Sequence, residues 1–383
     1  MMTEIADILL RLQGQVGVGS LNSIVSQCGE LGIKKPLIVT DPVIVKIGLA
    51  QRVVDLFSTY GQQAVIFDQC VENPLVPDIT IGAEKFNAEG CDGIIGLGGG
   101  SPIDQAKVIR IVAKYGGTAL DYNAWKGGVQ KIKAGVVPMV VVPTTAGTGS
   151  EASRVSMVTD PESKTKFPVG SRFIQPDRVI LDPELTVTMP PLITAATGMD
   201  ALVHALESYV NLNTDLFAYS FNRTGFELVG RSLKQAVENG KDLEARGDMM
   251  TAATMGGMSM VITGLGAVHA LAHPLSALAG VPHGTANSIM LPHVMKFNSE
   301  VAGKQYVEAA QLMGFWVNTA DEAIVAITNF AAEIGLPTTL TAAGVSKEML
   351  EQLSIDAFND STHKKNPIPT TQEDLRQMYL SAM

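Results

Sequence analysis

Gly93-Ile94-Ile95-Gly96-Leu97-Gly98-Gly99-Gly100-Ser101-Pro102-Ile103 is the stretch that decides the fold. Its opening is a near-continuous apolar run, which is what a parallel strand covered on both faces requires. A glycine turn follows, and then an amphipathic segment from Ile103 to Tyr115. The same grammar recurs on both sides. Pro36-Leu37-Ile38-Val39-Thr40-Asp41, Ala64-Val65-Ile66-Phe67-Asp68 and Val136 to Val142 are further apolar runs, and Ile47 to Tyr60 has helical length and patterning. Strands separated by helix-length segments predict βαβ units and an open parallel sheet. Gly17-Val18-Gly19 precedes any such unit and reads as a turn into a helix starting near Ser20.

Beyond Val179-Ile180-Leu181-Asp182 and the punctuation Met189-Pro190-Pro191, no convincing strand follows. Pro191 to Val210, Asp215 to Glu238, Asp248 to Thr263 and Ala320 to Ile334 all read as helices. The expectation is an α/β N-terminal domain over 1–188 with a Rossmann-like parallel sheet, and an all-α C-terminal domain over 189–383. The active site is expected in the cleft between them.

The full chain has 383 residues, enough for two domain-sized cores, and 46% hydrophobic against 17% charged residues supply the material for them. Twenty-eight basic against 38 acidic residues give a net charge of −10, and no basic block exceeds Lys364-Lys365, which argues against nucleic acid as a partner. Cys28, Cys70 and Cys91 are scattered and odd in number, so neither a disulfide framework nor a cysteine zinc site is indicated, and a reducing, cytoplasmic setting is expected. Met1 to Arg11 carries Glu4 and Asp7 and lacks a signal-like apolar core, so it is expected to stay in the mature chain. Between Asp248 and Lys296 there is no charged residue, but glycines and prolines break the stretch, and His269, His273, His283 and His293 lie within it. That favours core helices around a site over a membrane span.

Gly96 to Pro102 sits after a strand and before a helix, where glycines let a backbone approach an anion and free N–H groups at a helix start attract phosphate. The alternative is a flexible turn, and the position between strand and helix favours the phosphate reading. The spacing is not the usual dinucleotide fingerprint. A second polar loop, Pro143-Thr144-Thr145-Ala146-Gly147-Thr148-Gly149-Ser150-Glu151, follows the strand ending at Val142 and has hydroxyls and amides suited to phosphate or ribose. Asp200 and His204 are four residues apart on a helical stretch, His269 and His273 repeat that spacing, and His283 follows. One carboxylate with several imidazoles suits zinc or ferrous iron rather than calcium or magnesium. His293 reads as a packing residue, and His363 as solvent-facing or at the cleft edge.

Four motifs carry a resemblance: Gly98-Gly99-Gly100-Ser101-Pro102, Pro143 to Thr148, Ala196-Thr197-Gly198-Met199-Asp200-Ala201-Leu202-Val203-His204, and Val268-His269-Ala270-Leu271-Ala272-His273-Pro274 followed by Pro282-His283-Gly284. Over essentially its whole length the chain resembles the iron-dependent (group III) alcohol dehydrogenases, including their lactaldehyde/propanediol and short-chain alcohol members. The resemblance implies that Asp200, His204, His269 and His283 hold the metal, Fe(II) with Zn(II) as an alternative, and that His273 is a non-ligand near the nicotinamide. It implies NAD contacts from Gly99, Gly100, Ser101, Thr144, Thr145 and Thr148, with Asn73 and Lys166 on the adenine and ribose side. Asp41 matches a carboxylate that grips the adenosine ribose, and its charge would repel a 2′-phosphate, favouring NAD over NADP. The implied activity is hydride transfer between a small primary alcohol or diol and NAD, by a homodimer or larger homo-oligomer. Two other readings remain: a metal- and NAD-using lyase similar to dehydroquinate synthase, and a binding protein without turnover.

Overall fold

The computed structural model describes residues 11–163 and 165–383. Apart from Arg11, the N-terminal segment expected to be retained lies outside the described residues. The chain forms two compact units. One comprises 11–145 and Ser150–Thr186, and the other Ala146–Gly149 and Val187–Met383.

The first unit is built on a six-stranded parallel sheet. Its strands are β1 (Gly14–Val16), β2 (Pro36–Val39), β3 (Val65–Phe67), β4 (Gly93–Gly98), β5 (Met139–Pro143) and, after a separate hairpin, β8 (Arg178–Leu181). Their spatial order is β1-β8-β5-β4-β2-β3, and every pairing in this sheet is parallel. Helices α1 (Ile24–Glu30), α2 (Pro42–Lys46), α3 (Leu49–Thr59), α4 (Val76–Ala88) and α5 (Gly100–Tyr115) connect the strands. Alternate residues of the central strands face opposite ways. Ile38, Ile95, Leu97, Val140, Val142 and Ile180 share a core with Ile24, Val53 and Phe57 of α1 and α3. Gly96 instead lies under Ile103 and Ala106 of α5. Helices therefore cover both faces, and that burial is why these strands read as unbroken apolar runs.

Three strands escaped the sequence reading. β1 is a three-residue edge strand, Gly-Gln-Val, too short to show a pattern. The antiparallel hairpin of β6 (Val155–Asp160) and β7 (Thr165–Gly170) alternates only weakly, because Ser156 takes an inward position and Pro168 interrupts the outward one. Gly17 and Gly19 do turn the chain, at φ 134° and 78°, into a short 3-10 turn over Ser20–Ser23 that continues as α1. The helix expected from Ile103 opens at Gly100. Pro102 fits within its first turn, where a missing N–H costs nothing.

From Val187 onward the described residues contain no strand. The helices are α6 (Pro191–Val210), α7 (Leu216–Glu238), α8 (Leu243–Thr263), α9 (Ala267–Ala279), α10 (His283–Leu312), α11 (Ala320–Glu333), α12 (Leu350–Asn359) and α13 (Gln372–Ser381). α8 begins five residues before the expected Asp248, because Asp242 caps it by accepting from the amides of Glu244 and Ala245. α6 is buried on nearly all sides, as a helix apolar all round its circumference must be. Ala146–Gly149 groups with these helices for a steric reason: a side chain on Gly147 would meet the carbonyl oxygen of Thr197 at 2.3 Å. Among the described residues no single helix is long and apolar enough to cross a membrane. α8 and α9 reach that length and hydropathy only together, and they meet at 110°.

Candidate active site

Three helices bring the histidines and Asp200 together. Asp200 and His204 lie one turn apart on α6, His269 is in the first turn of α9, and His283 opens α10. The Nε2 atoms of His204, His269 and His283 each stand 3.7 Å from Asp200 Oδ1. The donor atoms of Asp200, His269 and His283 all fall within 4.8 Å of one another. His204 stacks on His269 with ring centroids 4.8 Å apart. Donors around a tetrahedral ion with bonds of about 2.1 Å would be about 3.4 Å apart, so the spacing and the nitrogen-rich donor set fit a borderline divalent cation. Asp200, His204 and His269 are buried, whereas the His283 side chain keeps 34% exposure, so the cluster has one accessible side.

Each buried ring is held from behind. The Nδ1–H of His204 donates to the Gly147 carbonyl at 3.2 Å, and that of His269 donates to Glu207 at 2.6 Å. Both bonds leave the Nε2 lone pair facing Asp200. Asn287, one turn after His283, donates its amide to Asp200 Oδ1 at 2.7 Å and lies 3.2 and 3.3 Å from the Nε2 atoms of His283 and His269. The Asn287 oxygen is buried and has no hydrogen-bond partner, an orphaned polar atom beside a cluster that fits a cation.

The electrostatics follow from burial and these neighbours. Burial alone would raise the Asp200 carboxyl, but the imidazoles of His204, His283 and His269 hold it below its usual range. Burial lowers His204. Burial acts the same way on His269, but Glu207 and Asp200 outweigh it and hold that ring up at about 9. A cation would take the place of such protons on Nε2.

His273 lies a turn beyond His269, with its ring stacked on His283 at 5.4 Å. Its Nδ1–H donates to Asp360 at 2.7 Å. Asp360 also accepts from the amide and hydroxyl of Thr362. The other histidines lie elsewhere. His293 bonds Ser381. His363 is a correction: it is buried rather than solvent-facing, because its Nδ1 pairs with the Thr370 hydroxyl at 2.8 Å and its ring packs on Phe358.

In the α/β unit the expected nucleotide residues collect on adjacent strand ends. β5, β4 and β2 are neighbours, and their carboxyl ends carry Thr144-Thr145, Gly99-Gly100-Ser101 and Asp41. The chain leaves β2 towards β3 on one side and β4 towards β5 on the other, so Asp41 and the glycine loop flank the switch point where ligands bind in open α/β sheets. Gly98 has φ 142°, a conformation open to glycine, and a side chain there would strike Pro102 at 2.7 Å. Gly99 caps α5 without any side-chain bond, which leaves the first amides of that helix for an anion. Asp41 Oδ1 accepts from the amides of Val43 and Ile44 and fixes the carboxylate at the start of α2. Asn73, at the left-handed φ of 61°, accepts from Lys166 Nζ at 2.8 Å, so these two residues meet although 93 positions separate them. Thr148 falls in Ala146–Gly149 and belongs to the helical unit.

Glu207, Asn287 and Asp360 were not singled out from sequence. Two of them carried a signal, because Glu207 stands three residues after His204 and Asn287 four after His283, the spacings that share a helix face. Asp360 carried none.

Residues 15–183 match the family model for iron-containing alcohol dehydrogenase, and 194–383 match that for the C-terminal part of the Fe-containing alcohol dehydrogenase family. The NAD-dependent methanol dehydrogenase of Bacillus methanolicus is 36% identical over 374 residues, covering 96% of this chain and 97% of that protein. A crystal structure of 1,3-propanediol oxidoreductase superposes with a TM-score of 0.93 at 33% identity, covering 98% of this chain and all of the other. Sulfoacetaldehyde reductase from Bifidobacterium kashiwanohense, crystallised with NAD+, superposes with a TM-score of 0.90 at 28% identity and 99% coverage of both chains.

Proposed function

Because the chain belongs to the iron-containing alcohol dehydrogenase family, we propose that Asp200, His204, His269 and His283 hold its metal and that His273 carries the substrate proton. The protein is an oxidoreductase that uses iron and NAD(H) to interconvert small alcohols or diols and aldehydes. One observation carries the ligand assignment: three Nε2 atoms from three helices stand at one distance, 3.7 Å, from a single buried carboxylate oxygen.

A divalent ion held there supplies Lewis-acid polarisation of the substrate oxygen. Asp200, His204, His269 and His283 would hold it through one carboxylate and three imidazoles, a donor set suited to ferrous iron, with zinc as the alternative. Asp200 contributes the one negative charge of the donor set. Gly147 and Glu207 fix the rings of His204 and His269 in the tautomer that offers Nε2. Asp360 does the same for His273, so that Nε2 of His273 is free to accept the proton of an alcohol or return it to an aldehyde.

NAD supplies the two-electron carrier. Gly99, Gly100 and Ser101 hold its pyrophosphate at the start of α5, with Thr144, Thr145 and Thr148 as polar contacts. Asn73 and Lys166 serve the adenine and ribose side. Asp41, with one oxygen committed to α2, presents its charge to the ribose and disfavours a 2′-phosphate, which supports NAD over NADP. Cytoplasmic residence belongs to the same proposal and is supported by three free thiols. So does a homodimer or larger homo-oligomer, supported by the exposed sheet edge at β1 with Val16 and Val18 and measured by sedimentation.

The test is metal analysis after anaerobic purification, combined with NADH formation across C2 to C4 alcohols and diols. The expected result is bound iron and stoichiometric NADH, which a lyase that restores its cofactor within each turnover would not accumulate. His204→Ala and His283→Ala are expected to lose metal and activity together. His273→Ala should keep the metal and lose about 10²–10⁴-fold in turnover. Unchanged turnover in His273→Ala would remove the proton-carrier role.

A further inference from the structure

We infer that Glu207 is a positioning residue that presents His269 to the metal, an inference that rests on the ligand assignment above. Glu207 lies on α6 three residues beyond His204 and seven beyond Asp200, so one helix face carries two donors and the group that orients a third. Its carboxylate is buried and divides its two oxygens. Oε1 accepts from the amides of Val268 at 2.6 Å and His269 at 3.4 Å. Oε2 accepts from the ring Nδ1–H of His269 at 2.6 Å.

The first pair of bonds replaces something α9 lacks. Its N-cap is Gly266, which has no side chain to satisfy the orphaned amides of the first turn. A side chain at that position would come within 2.9 Å of Glu207 Oε1. One carboxylate from α6 therefore caps α9 and sets the ring of a residue in its first turn. The second bond selects the tautomer. With the proton on Nδ1, the Nε2 lone pair is the free one, and it faces Asp200. Among the described residues Glu207 pairs with no Lys or Arg; its ion-pair partner is His269 itself. Carboxylate, imidazole and cation in series are the arrangement by which outer groups fix a metal-bound histidine.

Glu207→Gln tests this with little change of shape. The glutamine oxygen can still accept from the α9 amides, but its NH2 then faces Nδ1 and drives the proton to Nε2, where it blocks the cation. Zn(II) affinity, measured on metal-free full-length protein by competition with a chelator, should fall about 10- to 100-fold. The melting temperature of the metal-free protein should stay near that of the parent. If the glutamine variant does not fold, Glu207→Asp, one methylene too short to make both sets of bonds, gives the same reading. At a pH well above 9, where the ring has shed its second proton, nitrogen NMR of histidine-labelled, metal-free wild type should show the Nδ1–H tautomer for the signal that vanishes in His269→Ala.

Unchanged Zn(II) affinity in the variant would overturn the inference, as would a lowered melting temperature with affinity intact or an Nε2–H tautomer of the neutral ring in the wild type. Failure of the underlying assignment looks different, because Zn(II) would then bind wild type and Asp200→Asn alike, or neither.

Discussion

At the scale of single residues, the site became legible wherever helix geometry brings sequence neighbours together. Asp200 and His204, or His269 and His273, declare a shared face by their spacing. Asp360 and His273 are 87 positions apart, and nothing local could join them. The solvent-facing alternative for His363 fails because only its neighbours Thr362 and Lys364 suggest it, whereas its own surroundings are set by Phe358, on which its ring packs, and Thr370, to which it bonds. The three cysteines give a prediction at this scale. Burial pushes the Cys28 thiol up to about 12, with help from Asp92. Burial likewise pushes Cys91 up to about 11, and Cys70 is also raised, by burial and then by Asp41, Asp104 and Asp78. An unfolded thiol ionises near pH 8.5. Below that both states keep their protons and the native advantage is intact. Above it the unfolded chain releases protons that the native chain retains, so stability is lost progressively as pH rises through the window towards the native values. The melting temperature should therefore fall between pH 8 and 10. At pH 8 native protein should resist alkylation at all three positions while denatured protein reacts, and rapid native alkylation would contradict the assigned burial.

At the scale of elements, legibility tracked burial on both faces. β2, β4 and β5 lie inside a doubly covered sheet, where every position is apolar, and they were readable as runs. β1 and the β6–β7 hairpin are at the margin, where polar residues and Pro168 are tolerated and alternation fades. What holds the elements in register is less visible in sequence. Arg110 of α5 is buried and donates to the carbonyls of Val137, Ile174 and Gln175 and to Asp177 at 2.8 Å. Asp177 in turn accepts from the Met139 amide at the start of β5. Arg11 also pairs with Asp177, at 2.6 Å, so removing Arg110 leaves that carboxylate a cation but strips buried carbonyls of their donor, and unmade buried bonds of this kind are costly. Arg110→Ala should cost about 3–5 kcal/mol in denaturant unfolding. The loss should be no smaller in the double variant with Asp177→Asn, because Arg11 already compensates that carboxylate in the single variant. A much smaller loss in the double variant would show instead that Arg110 acts chiefly by neutralising Asp177 rather than through the carbonyls of Val137, Ile174 and Gln175.

For the whole molecule, the change from alternating strands and helices to helices alone was readable because each grammar persists for well over a hundred residues. The transfer of Ala146–Gly149 to the helical unit was not, because a close backbone approach at one glycine leaves no pattern. The division of labour has a thermodynamic consequence. All four proposed ligands sit on α6, α9 and α10, whereas the proposed nucleotide residues, Thr148 excepted, belong to the α/β unit. A ligand stabilises the conformation it binds by RT ln(1 + [L]/Kd), about 4 kcal/mol at a thousandfold excess over Kd. That stabilisation acts first on the segments that must open to release the ligand. Removing the metal with a chelator should therefore raise hydrogen exchange in the first turn of α9, the first turns of α10 and the middle of α6, and leave the amides of β2, β4 and β5 close to their protected rates. Adding NAD to the metal-free protein should slow exchange at the start of α5 and the ends of β2 and β4 instead. Equal loosening of sheet and helices on chelation would mean that the two units open only as one, and that metal and nucleotide are coupled through the stability of the entire chain rather than through their own segments.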